Sequence, residues 1–142
     1  MLEEKTPQAL ATARLDRARA FLQDAEKNLA VDSFMTSINR SYYCIYHAMR
    51  AVLAFERFDS KKHSGVISQF RKNYVKTGVF PAELSDMIRD AFTDRNECDY
   101  MEFTVASKDD AAAQLENAKT FLTAIEDYLA PKLHDVSEET ET

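Results

Sequence analysis

A chain of 142 residues, 45% of them hydrophobic, holds one domain with its own core and needs no disulfide staples. Two glycines in the whole chain are too few for a turn-rich β architecture, which leaves helices joined by short connections. The net charge of −6 excludes a protein that grips nucleic acid over its whole surface, because that affinity comes from neutralising phosphates.

The charge is segregated. Residues 36–80 carry eight basic side chains (Arg40, Arg50, Arg57, Lys61, Lys62, Arg71, Lys72, Lys76) against Glu56 and Asp59. Residues 81–142 carry sixteen acidic and five basic ones. A local basic patch can hold one nucleotide or a short RNA even in an acidic protein; a merely solvated basic face is the alternative. Cys44 and Cys98 lie in apolar helical patterns without ligand-like spacing, so they read as reduced, buried thiols. The histidines show no metal-ligand spacing either, and no metal or cofactor is expected. With no apolar leader and no run of membrane-spanning length, the expected location is the cytoplasm, without membrane attachment.

Along the chain, the first helix is expected over about Pro7 to Ala30, with Ala18, Phe21, Leu22, Ala25 and Leu29 inward and Arg14, Arg17, Asp24 and Lys27 largely outside that stripe. Asp32 or Ser33 is placed to cap a second helix that runs to about Phe55. A turn at Asp59-Ser60 precedes a third, from Lys61 to Val75, which Thr77-Gly78 ends. Pro81 opens a fourth, with Leu84, Met87, Ile88 and Ala91 as its apolar face. It ends near Asp99-Tyr100. Ser107 caps a fifth, with Leu115, Ala118, Leu122, Ile125 and Leu129 inward, and Pro131 and the acidic tail close the chain. Residues 1–134 thus read as a single helical domain and residues 135–142 as an acidic, disordered tail.

The second helix carries the most information. At 3.6 residues per turn its run from Ile38 to Leu53 splits into three stripes. Ile38, Tyr42, Ile45, Met49 and Leu53 form a core stripe. Ser41, Cys44, Ala48 and Ala51 form a small-residue stripe, suited to another helix of this bundle or to a partner. Arg40, Tyr43, His47 and Arg50 form a row of long polar groups. On the fourth helix, Arg95 continues the apolar stripe of Leu84, Ile88 and Ala91. A buried guanidinium needs a partner; Asp99, four residues on, supplies an internal one, and a bound phosphate is the other reading.

Taken together, Asn39-Arg40-Ser41-Tyr42-Tyr43, Lys62-His63-Ser64-Gly65-Val66-Ile67, Val75-Lys76-Thr77-Gly78 and Arg95-Asn96-Glu97-Cys98-Asp99-Tyr100 resemble the HEPN superfamily, and within it small stand-alone members whose last motif reads Arg-(three residues)-Asp-Tyr. The resemblance covers about residues 10–130. It implies an all-α, up-and-down bundle of about five helices that forms a homodimer. It also implies work beside a nucleotidyltransferase-fold protein in a toxin–antitoxin-like module. In nuclease members of that superfamily an arginine and a histidine with four to six residues between them, from two subunits, cut RNA in one cleft. Arg95 matches that arginine and Asn96 the polar residue after it, but Tyr100 stands where the nearest histidine would be. A phenol with a pKa near 10 does not replace an imidazole near 6.5 as a proton shuttle at neutral pH.

The candidate catalytic residues are therefore Arg95 and His47. The candidate ligand-binding residues are Arg40, Tyr43, His63, Asn96, Asp99 and Tyr100, holding a nucleotide or RNA. Two alternatives stand beside this: a ribonuclease in which His47 or His63 serves Arg95, and a non-catalytic interaction protein.

Overall fold

The computed structural model describes residues 6–100 and 105–141, and side chains over 6–97 and 105–133. Among these residues there are five α-helices and no strand: α1 (Pro7–Ala30), α2 (Phe34–Leu53), α3 (His63–Phe70), α4 (Glu83–Tyr100) and α5 (Lys108–Glu141). The all-α bundle expected from the sequence is the observed architecture.

Helix α1 begins where Thr6 accepts a hydrogen bond from Ala9 N–H at 3.0 Å, with Pro7 in the first turn where its missing N–H is harmless. It ends in a Schellman turn. Asp32 adopts the left-handed region (φ 61°), Ser33 N–H donates to Asn28 C=O at 2.8 Å and Asp32 N–H to Leu29 C=O at 3.1 Å. Asp32 therefore closes α1 and does not cap α2. Ser33 holds the cap position of α2, without a side-chain bond.

Helices α1 and α2 run antiparallel. Near their shared turn Ser37 Oγ donates to Ala25 C=O at 2.8 Å, and at the far end Arg14 Nη1 donates to Arg50 C=O at 2.9 Å. Helix α5 also runs antiparallel to α1, as the Arg19–Glu126 ion pair at 2.7 Å and the Lys119–Glu26 pair at 4.0 Å show. Arg14 differs from the sequence reading: it is buried, not solvated, because its guanidinium adds a second hydrogen bond to the Arg50 carbonyl in the last turn of α2, which also accepts from Ala54 N–H.

Helix α2 passes at Leu53 into a 3-10 turn over Ala54–Glu56, and Arg57 (φ 54°) ends it. Helix α3 is shorter than its periodicity suggests. From Arg71 to Val75 the backbone widens into a π-helical turn, with Lys76 N–H donating to Arg71 C=O at 2.9 Å. Gly78 (φ 83°) then reverses the chain, as its position after the helix predicts. Ser107 Oγ accepts from Asp110 N–H at 3.0 Å, the expected cap of α5. The helical backbone of α5 continues through Pro131 to Glu141.

All five residues of the α2 core stripe are buried. So are Ser41, Cys44, Ala48 and Ala51, each 0% exposed within the single chain. The small-residue stripe is thus covered by the bundle's own helices and is no partner surface. Burial, with Glu126 nearby, pushes the Cys44 thiol up to about 12, the behaviour of an inert core thiol. Replacing Ala48 with Leu overpacks this seam. The expected loss is about 1–3 kcal/mol of stability, read by urea unfolding, with the sedimentation profile unchanged; a changed assembly at unchanged stability would contradict the assignment.

Candidate functional site

Where α2 meets α1, α3 and α4, aromatic rings gather around one guanidinium. Arg95, from the fourth turn of α4, lies over the rings of Tyr42 and Tyr43, its Cζ 5.3 and 5.7 Å from their centroids. Its Nη2 donates to Tyr43 Oη at 3.2 Å and its Nη1 to Asn96 Oδ1 at 3.1 Å. Facing π-systems suit a cation that must stay charged while partly desolvated. Phe92, one turn earlier on α4, touches the same Tyr42 ring at 6.1 Å.

His63 enters from the start of α3. The loop before it is tightly seated. Ser60 N–H donates to Asp59 Oδ1 at 2.9 Å, Lys62 N–H donates to Ser60 Oγ at 3.2 Å, and a Cβ at Gly65 would run into the Ser60 side chain. The imidazole stacks on Tyr46, 4.1 Å between centroids, and its Nδ1 lies 2.7 Å from Tyr42 Oη. Burial raises the Tyr42 pKa, so its phenol stays protonated and donates. Nδ1 accepts, which leaves the ring proton on Nε2. Burial, then the charges of Arg95 and Arg50, lower the His63 pKa, giving a neutral imidazole beside a permanent cation.

His47 sits one ring away. It lies flat on Phe21 of α1, 5.3 Å between centroids and 4° between planes, and also contacts Tyr43 and Tyr46 at 6.3 and 5.2 Å. Burial, Arg50, Arg17, Arg14 and His63 together push its pKa down to about 4. An imidazole that hard to protonate, and only 7% exposed, suits a packed neutral ring better than a proton shuttle.

The other cations of α2 are engaged. Arg50 Nη2 binds Asp59 Oδ2 at 3.1 Å, and Arg14 reaches the same oxygen at 3.5 Å. Burial acts to raise the Asp59 carboxyl. The Arg50 bond, the Ser60 N–H and the two arginine charges outweigh it and hold the pKa below its usual value. Arg40 pairs with Asp24 at 2.7 Å, donates to Asn39 Oδ1 at 2.7 Å and lies over Phe21. The Phe21 and Tyr43 rings, which stack at 5.5 Å, lie between it and Arg95.

Of the residues singled out in the sequence, Tyr43, His63, Arg95 and Asn96 converge. His47 borders them, and Arg40 is tied to α1 instead. Helix α4 extends to Tyr100, but the side chains of Asp99 and Tyr100 lie outside those described. Tyr42 reads as a core residue in the sequence and Tyr46 falls in none of the three stripes, yet their rings link His63 to Arg95. The signal available was a phenol in an otherwise hydrocarbon stripe, since a buried hydroxyl needs a partner. Among the described residues no group of three His, Cys, Asp or Glu is placed to hold a metal ion, and no helix is long and apolar enough to cross a membrane.

Because folding depresses His47, the unfolded chain takes up its proton first as the pH falls. Stability is therefore full above the unfolded pKa near 6.5 and declines as the pH falls toward 4. His63 contributes with the same sign. A slope of up to about 1.4 kcal/mol per pH unit is expected from one such group. Urea unfolding at several pH values between about 4 and 7.5 should show His47→Phe with the shallower dependence; parallel wild-type and variant curves would contradict the buried, neutral assignment.

Comparisons with known proteins now identify the family. The family model of the HEPN domain matches residues 11–128. A UPF0332 protein of Thermotoga maritima is 33% identical over 110 residues, covering 78% of this chain and 83% of its own. A protein of Methanocaldococcus jannaschii that bears the name of a candidate toxin is 28% identical over 118 residues, covering 83% and 80% of the two chains. A UPF0332 protein of Archaeoglobus fulgidus is 31% identical over 109 residues, 77% of this chain and 86% of its own. With the match spanning most of the helical bundle, and with Arg95 and the α2 tyrosines inside it, the chain belongs to the HEPN domain family.

Proposed function

We propose that this protein is the nucleotide- or RNA-binding component of a toxin–antitoxin-type module, that it acts as a homodimer, and that it works with a nucleotidyltransferase-fold partner. Arg95, framed by Tyr43 and Asn96, is the phosphate-binding group. The observation that carries this reading is the Arg95 guanidinium held at the faces of two tyrosines with a hydroxyl and an amide fixing its plane. A guanidinium oriented in this way matches phosphate oxygens better than a mobile ammonium does. The excess of positive charge over residues 36–80 supports it, as does the toxin naming of relatives.

The test is equilibrium binding of mononucleotides and short single-stranded RNAs. Arg95→Ala is expected to weaken binding at least about tenfold, the equivalent of about 1.4 kcal/mol, while helicity is retained. Arg95→Lys recovers part of it. Failure of the wild type to bind any of these ligands would overturn the ligand assignment.

A ribonuclease reading has one observation in its favour: His63 and Arg95 contact the same Tyr42 ring. In that reading Arg95 neutralises charge developing on the phosphate, and the imidazole of His63 moves the proton. Under it, His63→Gln keeps RNA affinity within about twofold and loses at least about a hundredfold in cleavage rate. Cleavage that survives the substitution would remove His63 from the chemistry.

A further inference from the structure

A second concave site lies beside the first. Helix α3, its π-helical continuation and helix α4 enclose a groove of about 470 Å³. Ile67, Ile88 and Phe92 give it an apolar floor, and its rim holds four basic residues. Two of these are engaged. Arg71 donates to the Ser85 hydroxyl at 3.0 Å and to the Ser85 carbonyl at 3.1 Å, and Arg89 pairs with Asp86 and Asp90 at 3.3 Å. Lys72 and Lys76 form no ion pair among the described residues, and both are exposed. They sit in and just after the π-helical turn, a departure from regular helix that is costly to keep and common at functional positions.

Two residues of the groove lining adjoin the Arg95 cluster. Phe92 is at once part of the groove floor and a neighbour of the Tyr42 ring. Ser64, at the groove's edge, follows His63 in the chain. An apolar floor under two uncommitted ammonium groups suits an occupant with a flat, weakly polar face and a negatively charged backbone. A nucleotide has both. An acidic peptide would satisfy the lysines but leaves the apolar floor without a flat partner, so the chemistry favours RNA.

We infer that this groove is a flanking-nucleotide subsite for single-stranded RNA: Lys72 and Lys76 hold backbone phosphates and the Ile67–Ile88–Phe92 floor takes a base, next to the phosphate held by Arg95. The inference rests on the RNA-binding reading of Arg95 and gives that site a direction along the strand.

The experiment compares a labelled dinucleotide with a labelled hexanucleotide RNA by fluorescence anisotropy over a series of salt concentrations, using the full chain, Lys72→Gln/Lys76→Gln, Ser68→Asp and Arg95→Ala. The wild type is expected to bind the hexanucleotide at least about tenfold more tightly than the dinucleotide. The double lysine variant should bring the hexanucleotide close to dinucleotide affinity. Its log–log salt slope should fall by about 1.4, two phosphate contacts' worth for a single strand. Ser68→Asp, an exposed change on the groove wall, should weaken the hexanucleotide selectively, which guards against a folding artefact in the lysine variant.

If Arg95→Ala abolishes binding while the lysine and Ser68 variants keep the wild-type length dependence, the groove assignment is overturned and the Arg95 reading stands. If the wild type binds neither RNA, both fall. If the lysine variant alters sedimentation and leaves RNA affinity intact, the groove belongs to a protein interface and the subsite is rejected.

Discussion

Helix α2 is the constraint on which the rest depends. Thirteen of its twenty residues are buried, so nearly every polar group it carries has to be met by a neighbouring helix and not by water. Helices α1, α3 and α4 answer several of them. Ala25 of α1 accepts from Ser37, Arg14 of α1 covers a last-turn carbonyl, His63 of α3 takes the Tyr42 proton, and Arg95 of α4 donates to Tyr43. The same contacts that make a tyrosine-rich helix tolerable at the centre of a bundle also assemble the candidate site. Function and stability here draw on shared bonds, so the site has little freedom to rearrange without loosening the core.

The charges around α2 are disposed unequally. At its C-terminal end Asp59 absorbs two arginines, which makes that end a structural clamp. In the aromatic cluster the imidazoles are held neutral, and burial keeps the phenols of Tyr42 and Tyr46 protonated. The guanidinium of Arg95 is thus bordered by the neutral rings of Tyr42 and Tyr43, an environment of low polarity in which electrostatic interactions are stronger than in water. A neutral histidine next to it also avoids the repulsion that two adjacent cations would suffer.

Much of the fold was legible because it is written in period. The stripes of α1, α2, α4 and α5 repeat every three to four residues, and most of the residues they place inside are buried, among them Ile38, Tyr42, Ile45, Met49 and Leu53 on α2 and Leu84, Ile88 and Ala91 on α4; Phe21, Leu22 and Leu29 on α1 and Met87 on α4 are partly buried and pack against that core. Arg14 was misread because periodicity sorts residues by polarity, and a guanidinium capping a neighbouring helix is polar and buried at once. The π-helical turn was invisible, since one extra residue in a turn leaves no mark on composition. In the site, Arg95 stood out as a cation in an apolar stripe. Its bond to Tyr43 spans 52 residues of sequence, and no local pattern encodes which of several phenols it meets. Arg40 and Tyr43 looked equivalent on one stripe. The difference lay in Asp24, on another helix, which claims the first and not the second.

The tyrosine cluster also makes the protein its own optical instrument. The chain has no tryptophan and six tyrosines, so no indole drains or hides phenol emission. Three of the six, Tyr42, Tyr43 and Tyr46, lie in mutual contact within the cluster, with Arg95 over two of them. Their fluorescence is sensitive to hydrogen bonding of the hydroxyl and to a cation at the ring face. Any event that draws the guanidinium away from the rings is thereby converted into a change in ultraviolet emission, without a label and without altering a residue.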